Sequence, residues 1–211
     1  MKSLIEPSIY LASKSPRRRE LLNQIGVPHA VISADVEEKP RHNESSQQYV
    51  QRLAREKAEA GLASLLTNGR NSSERNNNFS LKPALGADTI VVSNGDILEK
   101  PCDAHHAATM LRQLSGSTHQ VMTAVALATD VKTVVKLSTT DVVFRVLQES
   151  EIRDYWTTGE PQDKAGGYGI QGLGAVFVEQ IRGSYSGVVG LPIEQTVELL
   201  MEFNVRWWQQ V

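Results

Sequence analysis

The chain has 211 residues, 40% of them apolar, with a formal net charge of −2 and a sequence pI of about 6.2. That much apolar material suits one large domain or two small lobes around a cleft, and the charge balance excludes general affinity for nucleic acid or an anionic membrane surface. A single cysteine, Cys102, excludes an internal disulfide framework and a cysteine-built zinc cage. No apolar run approaches the roughly 20 residues needed to span a bilayer. The short apolar stretch at 9–12 is followed, not preceded, by its basic cluster, so it does not read as a signal-peptide core, and a cytoplasmic protein is expected.

Strand and helix patterns alternate early in the chain, which predicts an α/β fold. Residues 8–13 read as a strand, 16–25 as a helix opened by Pro16 and stopped by Gly26, and 29–33 as a second strand. At the first strand-helix junction Ser15 takes the N-cap position. Arg17, Arg18 and Arg19 then fill the first turn, where the helix dipole already presents about half a positive charge. Acids are usual at that end, so cations there point to an anion as the missing partner. Backbone N–H groups, the hydroxyls of Ser13 and Ser15 and the guanidinium forks could together grip a polyphosphate. The alternative is a solvated basic turn paired with Glu20.

A long helix is predicted over 46–66. At 100° per residue Val50, Leu53, Ala54, Ala58, Gly61, Leu62 and Leu65 form one apolar arc, with Arg52, Arg55, Glu56 and Glu59 on the far side. Lys57 is the only charge inside the arc. It either snorkels to solvent or points into a polar cleft with an anionic partner, and the second reading is preferred. Residues 68–82, rich in Asn, Ser and Arg, read as a flexible polar surface insertion.

Residues 84–92 read as a core strand with Leu85, Ala87, Thr89 and Val91 on one face and Gly86, Asp88, Ile90 and Val92 on the other. Asp88 thus shares a face with apolar neighbours, where a carboxylate is costly unless a metal, a cation or hydrogen-bond donors meet it. Gly86 and Ala87 leave space in front of it, which suits an approaching ligand; the alternative is an acid accepting backbone hydrogen bonds in a turn. Asn94-Gly95 then reads as a hairpin turn. Asp103 caps a helix with Ala107, Met110, Leu111 and Leu114 inward, ending at Gly116. Long paired strands are predicted over 119–128 and 134–147, a short helix over 149–158, a glycine-dense loop over 159–174, a strand over 175–181 and a last helix over 192–203.

Further carboxylates and lysines flank this centre: Glu37 and Glu38, Glu99 and Lys100, Asp163 and Lys164. Hard carboxylates combined with substrate phosphates are a usual way to hold Mg²⁺. His105 and His106, adjacent on a helix, diverge and read as surface residues. The stretch Gly167-Tyr-Gly-Ile-Gln-Gly172 has the spacing of a dinucleotide fingerprint but is followed by a strand, so that reading is rejected. Its glycines instead suit a loop against a flat ligand, with Gln171 able to read a base edge.

Together these stretches resemble the Maf family of nucleoside triphosphate pyrophosphatases. The matching segments are Leu-Ala-Ser-Lys-Ser-Pro-Arg-Arg (11–18), Arg-Leu-Ala-Arg-Glu-Lys-Ala (52–58), Gly-Ala-Asp-Thr-Ile-Val (86–91) and Glu-Lys-Pro (99–101). They continue with Met-Leu-Arg-Gln-Leu-Ser-Gly (110–116), Thr-Gly-Glu-Pro (158–161), Asp-Lys-Ala-Gly-Gly-Tyr-Gly-Ile-Gln-Gly (163–172) and Val-Val-Gly-Leu-Pro (188–192). The likeness covers nearly all of 1–211 as one domain and departs at 68–82 and in the tail from Arg206.

The resemblance implies hydrolysis of a nucleoside triphosphate to monophosphate and pyrophosphate with a divalent cation, Mg²⁺ or Mn²⁺. It implies an elongated mixed β-sheet in two lobes with flanking helices and a central cleft, similar to the inosine triphosphate pyrophosphatases, and a homodimer. The family's catalytic acid falls on Asp88 and its three specificity positions on Arg17, Thr89 and Gln171. Ser13, Ser15, Arg17, Arg18 and Lys57 would hold the phosphates, assisted by Lys100 and Lys164, with Glu38 and Asp88 placing the metal. The specificity set looks like the branch acting on dTTP and UTP. Thymine and uracil offer a carbonyl beside a ring N–H, which one glutamine amide can satisfy, whereas cytosine reverses both groups. The alternatives are a 7-methyl-GTP or inosine-type specificity, or a nucleotide-binding regulator of cell division that needs no turnover.

Overall fold

The computed structural model describes residues 6–71 and 82–209. Its elements alternate as predicted: β1 (Ile9–Leu11), α1 (Pro16–Gln24), β2 (His29–Val31), α2 (Ser46–Asn71), β3 (Ala84–Ser93) and β4 (Asp96–Leu98). They continue with α3 (Ala104–Leu114), β5 (Thr118–Ala128), β6 (Thr133–Phe144), α4 (Glu149–Thr157), β7 (Val178–Arg182), α5 (Tyr185–Val189) and α6 (Ile193–Glu202). Among the described residues seven strands form one sheet in the order β2-β1-β3-β5-β6-β7, with β4 paired to β3. The sheet is mixed: β1 runs parallel to β2 and β3, while β4 and β7 run antiparallel to β3 and β6. The α/β expectation therefore holds.

Local chemistry explains most element boundaries. Asn94 and Gly95 both take positive φ, 54° and 90°, so the β3–β4 connection has the twist that a two-residue hairpin requires. The Asp103 side chain accepts from the His106 amide at the start of α3, and the buried residues of that helix are Ala107, Met110, Leu111 and Leu114, the four expected. Two predicted element boundaries need correction, and one helix was not predicted. Helix α2 continues to Asn71, so 68–71 is helical, and 72–81 lies outside the described residues. Residues 175–177 belong to a 3₁₀ turn, Leu173–Phe177, in which the Ala175 amide donates back to the Gly172 carbonyl at 3.2 Å rather than to a strand partner. Helix α5 was not foreseen: at five residues it is too short for periodicity to reveal, and the Ser184 hydroxyl starts it by accepting from the Gly187 amide.

Strand β3 is buried almost throughout, as expected for a strand covered on both faces. The space at Gly86 is not left for a ligand. A Cβ at that position would overlap the Ala54 carbonyl oxygen and the Ala58 amide nitrogen, so the glycine lets α2 lie directly against β3. Arg52, expected on the far side of α2, has a side chain only 13% exposed. It is bidentate to Glu44 at 2.6 and 2.7 Å and also donates to Glu56, because the segment before the helix folds over it.

The chain forms two compact units: Met1–Asp88 with Ala124–Leu137 and Gly190–Val211, and Thr89–Thr123 with Ser138–Val189. In the first, the Trp208 and Gln209 amides donate to the carbonyls of Ile25 and Gly26, both at 2.8 Å, which ties the tail to the end of α1. The second is built on a cluster including Leu111, Val142, Phe144, Tyr155, Tyr168 and Phe177. Within it His119, 2% exposed, bonds the Tyr168 hydroxyl through Nε2 at 2.8 Å and meets the Phe144 ring edge-on.

Burial pushes the His119 pKa down to about 4. The unfolded chain, with an ordinary histidine near 6.5, therefore binds the extra proton between those two values. Stability contributed by the neutral ring is complete above the ordinary value and is lost as pH falls through the window, by about 3 kcal/mol in all. His119→Gln is expected to flatten that part of the acid-denaturation profile, measured as melting temperature against pH. Superimposable profiles would refute this account.

Candidate active site

Asp88 sits on β3 with its side chain 10% exposed, and the cation it needs is Lys57 of α2. The Lys57 Nζ donates to Asp88 Oδ1 at 2.7 Å and lies 2.5 Å from Glu38 Oε1. The lysine side chain is 12% exposed, so it does not snorkel out; the close approach at Gly86 brings its position on α2 alongside the acid. Two hard carboxylates thus converge on one positive charge. Among the described residues no group of three or more His, Cys, Asp or Glu side chains could cage a metal. Asp88 and Glu38 are the hard oxygen ligands that could hold a Mg²⁺ or Mn²⁺ ion, which would need its remaining oxygens from phosphates and water.

The start of α1 adds positive charge. Ser15 is the N-cap residue and Pro16 opens the helix, with no acid in the first turn. The Ser13 hydroxyl accepts from the Ser15 amide at 3.2 Å and from Arg18 Nη1 at 3.1 Å. Arg18 Nε donates to the Gly190 carbonyl at 2.8 Å, and Gly190 turns that carbonyl toward it with φ +125°. Burial pushes the Arg18 guanidinium below its ordinary value and Arg17 adds to this, while the charges of Asp88 and Glu38 oppose it. The structure therefore brings together Glu38, Lys57 and Asp88, and puts Arg18 within electrostatic reach of Asp88, Glu38 and its neighbour Arg17. Gly190 was missed as a partner, although Gly-Leu-Pro at 190–192 signals a fixed turn.

The other candidates belong to the second unit. Thr89, partly buried on β3, has its hydroxyl 3.0 Å from that of Thr123, which also donates to the Gly187 carbonyl at 2.7 Å. Lys100 is exposed after β4, and the Gly166 amide docks on the carbonyl of its neighbour Glu99 at 3.1 Å. Lys164 Nζ donates to the Asp163 carboxylate and the Glu160 carbonyl, both at 2.7 Å. Gln171 is exposed at the tip of the glycine loop. Glu160 and Tyr155, which hold that loop, carried no signal in the sequence beyond the Thr-Gly-Glu-Pro segment. His105 and His106 stay at the surface side of α3, where His106 Nδ1 lies 3.3 Å from Cys102 Sγ.

Comparison with known proteins gives the family. Residues 8–203 match the family described as Maf-like protein. A Saccharophagus degradans protein named dTTP/UTP pyrophosphatase is 55% identical over 203 residues, 96% of this chain and 92% of the relative. One from Escherichia coli O157:H7 with the same name is 56% identical over 197 residues, 93% of each chain. A Shigella flexneri relative named nucleoside triphosphate pyrophosphatase is 55% identical over 197 residues, again 93% of each. With a family match over almost all of its length and relatives this similar, the chain belongs to the Maf-like protein family.

Proposed function

We propose that the protein is a nucleoside triphosphate pyrophosphatase that cleaves the α–β phosphoanhydride of dTTP and UTP, giving the monophosphate and pyrophosphate. The observation that carries the reading is the convergence of Asp88 and Glu38 on the Lys57 ammonium, with the Arg18 guanidinium in their field. The names of relatives about 55% identical along nearly the whole chain support the nucleotide specificity. Ser13, Ser15, Arg17, Arg18 and Lys57 bind the triphosphate, with Lys100 and Lys164 as further cations. Asp88 accepts the proton of the water that attacks the α-phosphorus, and its bond from Lys57 holds the carboxylate in position. A Mg²⁺ or Mn²⁺ ion held by Glu38 and Asp88 would neutralise phosphate charge. Thr89 and Gln171 read the base and Arg17 acts through the phosphates. The enzyme works in the cytoplasm as a homodimer, without nucleic acid.

Pyrophosphate release measured over dTTP, UTP, CTP, GTP, inosine triphosphate and 7-methyl-GTP with Mg²⁺ or Mn²⁺ tests the proposal. Preference for dTTP and UTP is expected; preference for a purine, or no release, overturns it. Gln171→Glu replaces an amide donor with a carboxylate that only accepts when ionised, set against the O4 carbonyl of the pyrimidine. Its kcat/KM for dTTP and UTP is expected to fall about tenfold or more, the cost of an unpaired polar group. Equal losses on every nucleotide would assign Gln171 to catalysis or folding instead.

A further inference from the structure

We propose that Tyr155 and Glu160 are positioning residues for base selection: they staple the glycine loop and so fix where Gln171 presents its amide. The proposal rests on the reading of Gln171 as a base-contacting residue. Tyr155 lies in α4, buried, with its ring edge-on to Phe177 at 4.9 Å. After α4, Gly159 takes φ +76° and turns the chain so that Glu160 comes back beneath the tyrosine hydroxyl. The hydroxyl donates to Glu160 Oε1 at 2.7 Å. The same carboxylate accepts two loop amides, Gly174 at Oε1 (3.0 Å) and Leu173 at Oε2 (2.8 Å). The tyrosine oxygen in turn accepts the Gly169 amide at 3.0 Å. Residues 169, 173 and 174 are therefore pinned to one two-residue fixture, and Gln171 stands between the pins with its side chain exposed.

Loop composition follows from this fixture. A Cβ at Gly172 would overlap the Glu160 carboxylate, and one at Gly174 would sit 2.6 Å from the Tyr155 hydroxyl oxygen. A Cβ at Gly169 would come 2.7 Å from the Lys164 side chain. The glycines let the backbone close over the staple, which accounts for their density without a phosphate. Protonation states agree. Desolvation works against the Glu160 carboxylate, yet the Gly174 amide, the Tyr155 hydroxyl and the Leu173 amide hold it below its ordinary value. Burial and the adjacent carboxylate push the Tyr155 hydroxyl up, so it stays a donor.

Two variants separate the staple from general packing. Tyr155→Phe keeps the ring but removes the bond to Glu160 and the acceptor for Gly169. Glu160→Gln keeps shape but offers one oxygen where two accept amide protons, leaving an N–H facing an NH₂. The experiment measures kcat/KM for UTP and CTP in the wild type, both variants, Gln171→Ala and the Tyr155→Phe/Gln171→Ala pair. Amide hydrogen exchange of residues 169, 173 and 174 is followed alongside. Each staple variant is expected to lower the UTP-over-CTP ratio by about tenfold with faster exchange at the three amides, and adding Tyr155→Phe to Gln171→Ala to cost little more, since both act through one side chain. A preserved ratio in the staple variants while Gln171→Ala loses it, or losses that multiply in the pair, overturns the positioning role. If Gln171→Ala itself leaves the ratio unchanged, the base-reading assignment fails and takes the selectivity role with it. Unchanged exchange overturns the staple whatever the ratio does.

Discussion

Asp88→Asn is expected to cut pyrophosphate release from dTTP and UTP at least hundredfold while melting temperature and nucleotide binding stay near wild type. The substitution preserves shape but removes the negative charge, and with it the capacity to take a proton. Loss of a positioned general base costs about 10²–10⁴ in rate. The fold should tolerate it because Lys57, which loses its bond to Asp88, keeps Glu38 at 2.5 Å and is not left as a bare buried cation. Steady-state kinetics with a separate binding titration distinguishes the two effects. Retention of more than about a tenth of the wild-type rate would remove Asp88 from the role of base.

The parts of this molecule legible in its sequence are those set by local chemistry. The α3 helix was read residue by residue because an amphipathic period and a capping aspartate agree. The Asn94-Gly95 turn was read because few other residues take positive φ twice in succession. Lys57 was singled out as the one charge inside an apolar arc, and the structure gives the reason: two carboxylates wait for it. What failed was whatever depended on a distant partner. A small residue at position 86 signals that something approaches closely, but not whether it is a ligand or, as here, a helix backbone. The helical wheel set the angle of Arg52 correctly and its burial wrongly, since Glu44 reaches it from outside the helix. Val176 and Phe177 favour a strand, yet the Ala175 amide turns back to the Gly172 carbonyl in a 3₁₀ turn that Glu160 anchors through Leu173 and Gly174. The specificity roles of Arg17, Thr89 and Gln171 came from family resemblance, because base reading leaves no trace in periodicity or capping.

The asymmetry between the partners of the central ion pair gives the second large effect. Lys57→Met keeps the length of the side chain but leaves Asp88 and Glu38 converging with no positive charge between them. Glu38, half exposed, can turn to water; Asp88, fixed on a buried strand and 10% exposed, cannot. Removing one member of a buried pair typically costs 3–5 kcal/mol. The attraction between Asp88 and Arg18 offsets part of that here, so a loss of about 2–3 kcal/mol is expected. For a chain of this size each kcal/mol moves the melting temperature by roughly 2–4 °C, so a drop of about 5–10 °C should be measured near neutral pH, together with loss of turnover. The decisive comparison is Lys57→Met combined with Asp88→Asn. With the carboxylate gone, nothing uncompensated remains on β3, and the double variant should melt above the Lys57→Met single. If the single variant melts with the wild type, or the double falls by the sum of both, the lysine is not what makes a core carboxylate tolerable. The Arg18 guanidinium and solvent would then have to account for it.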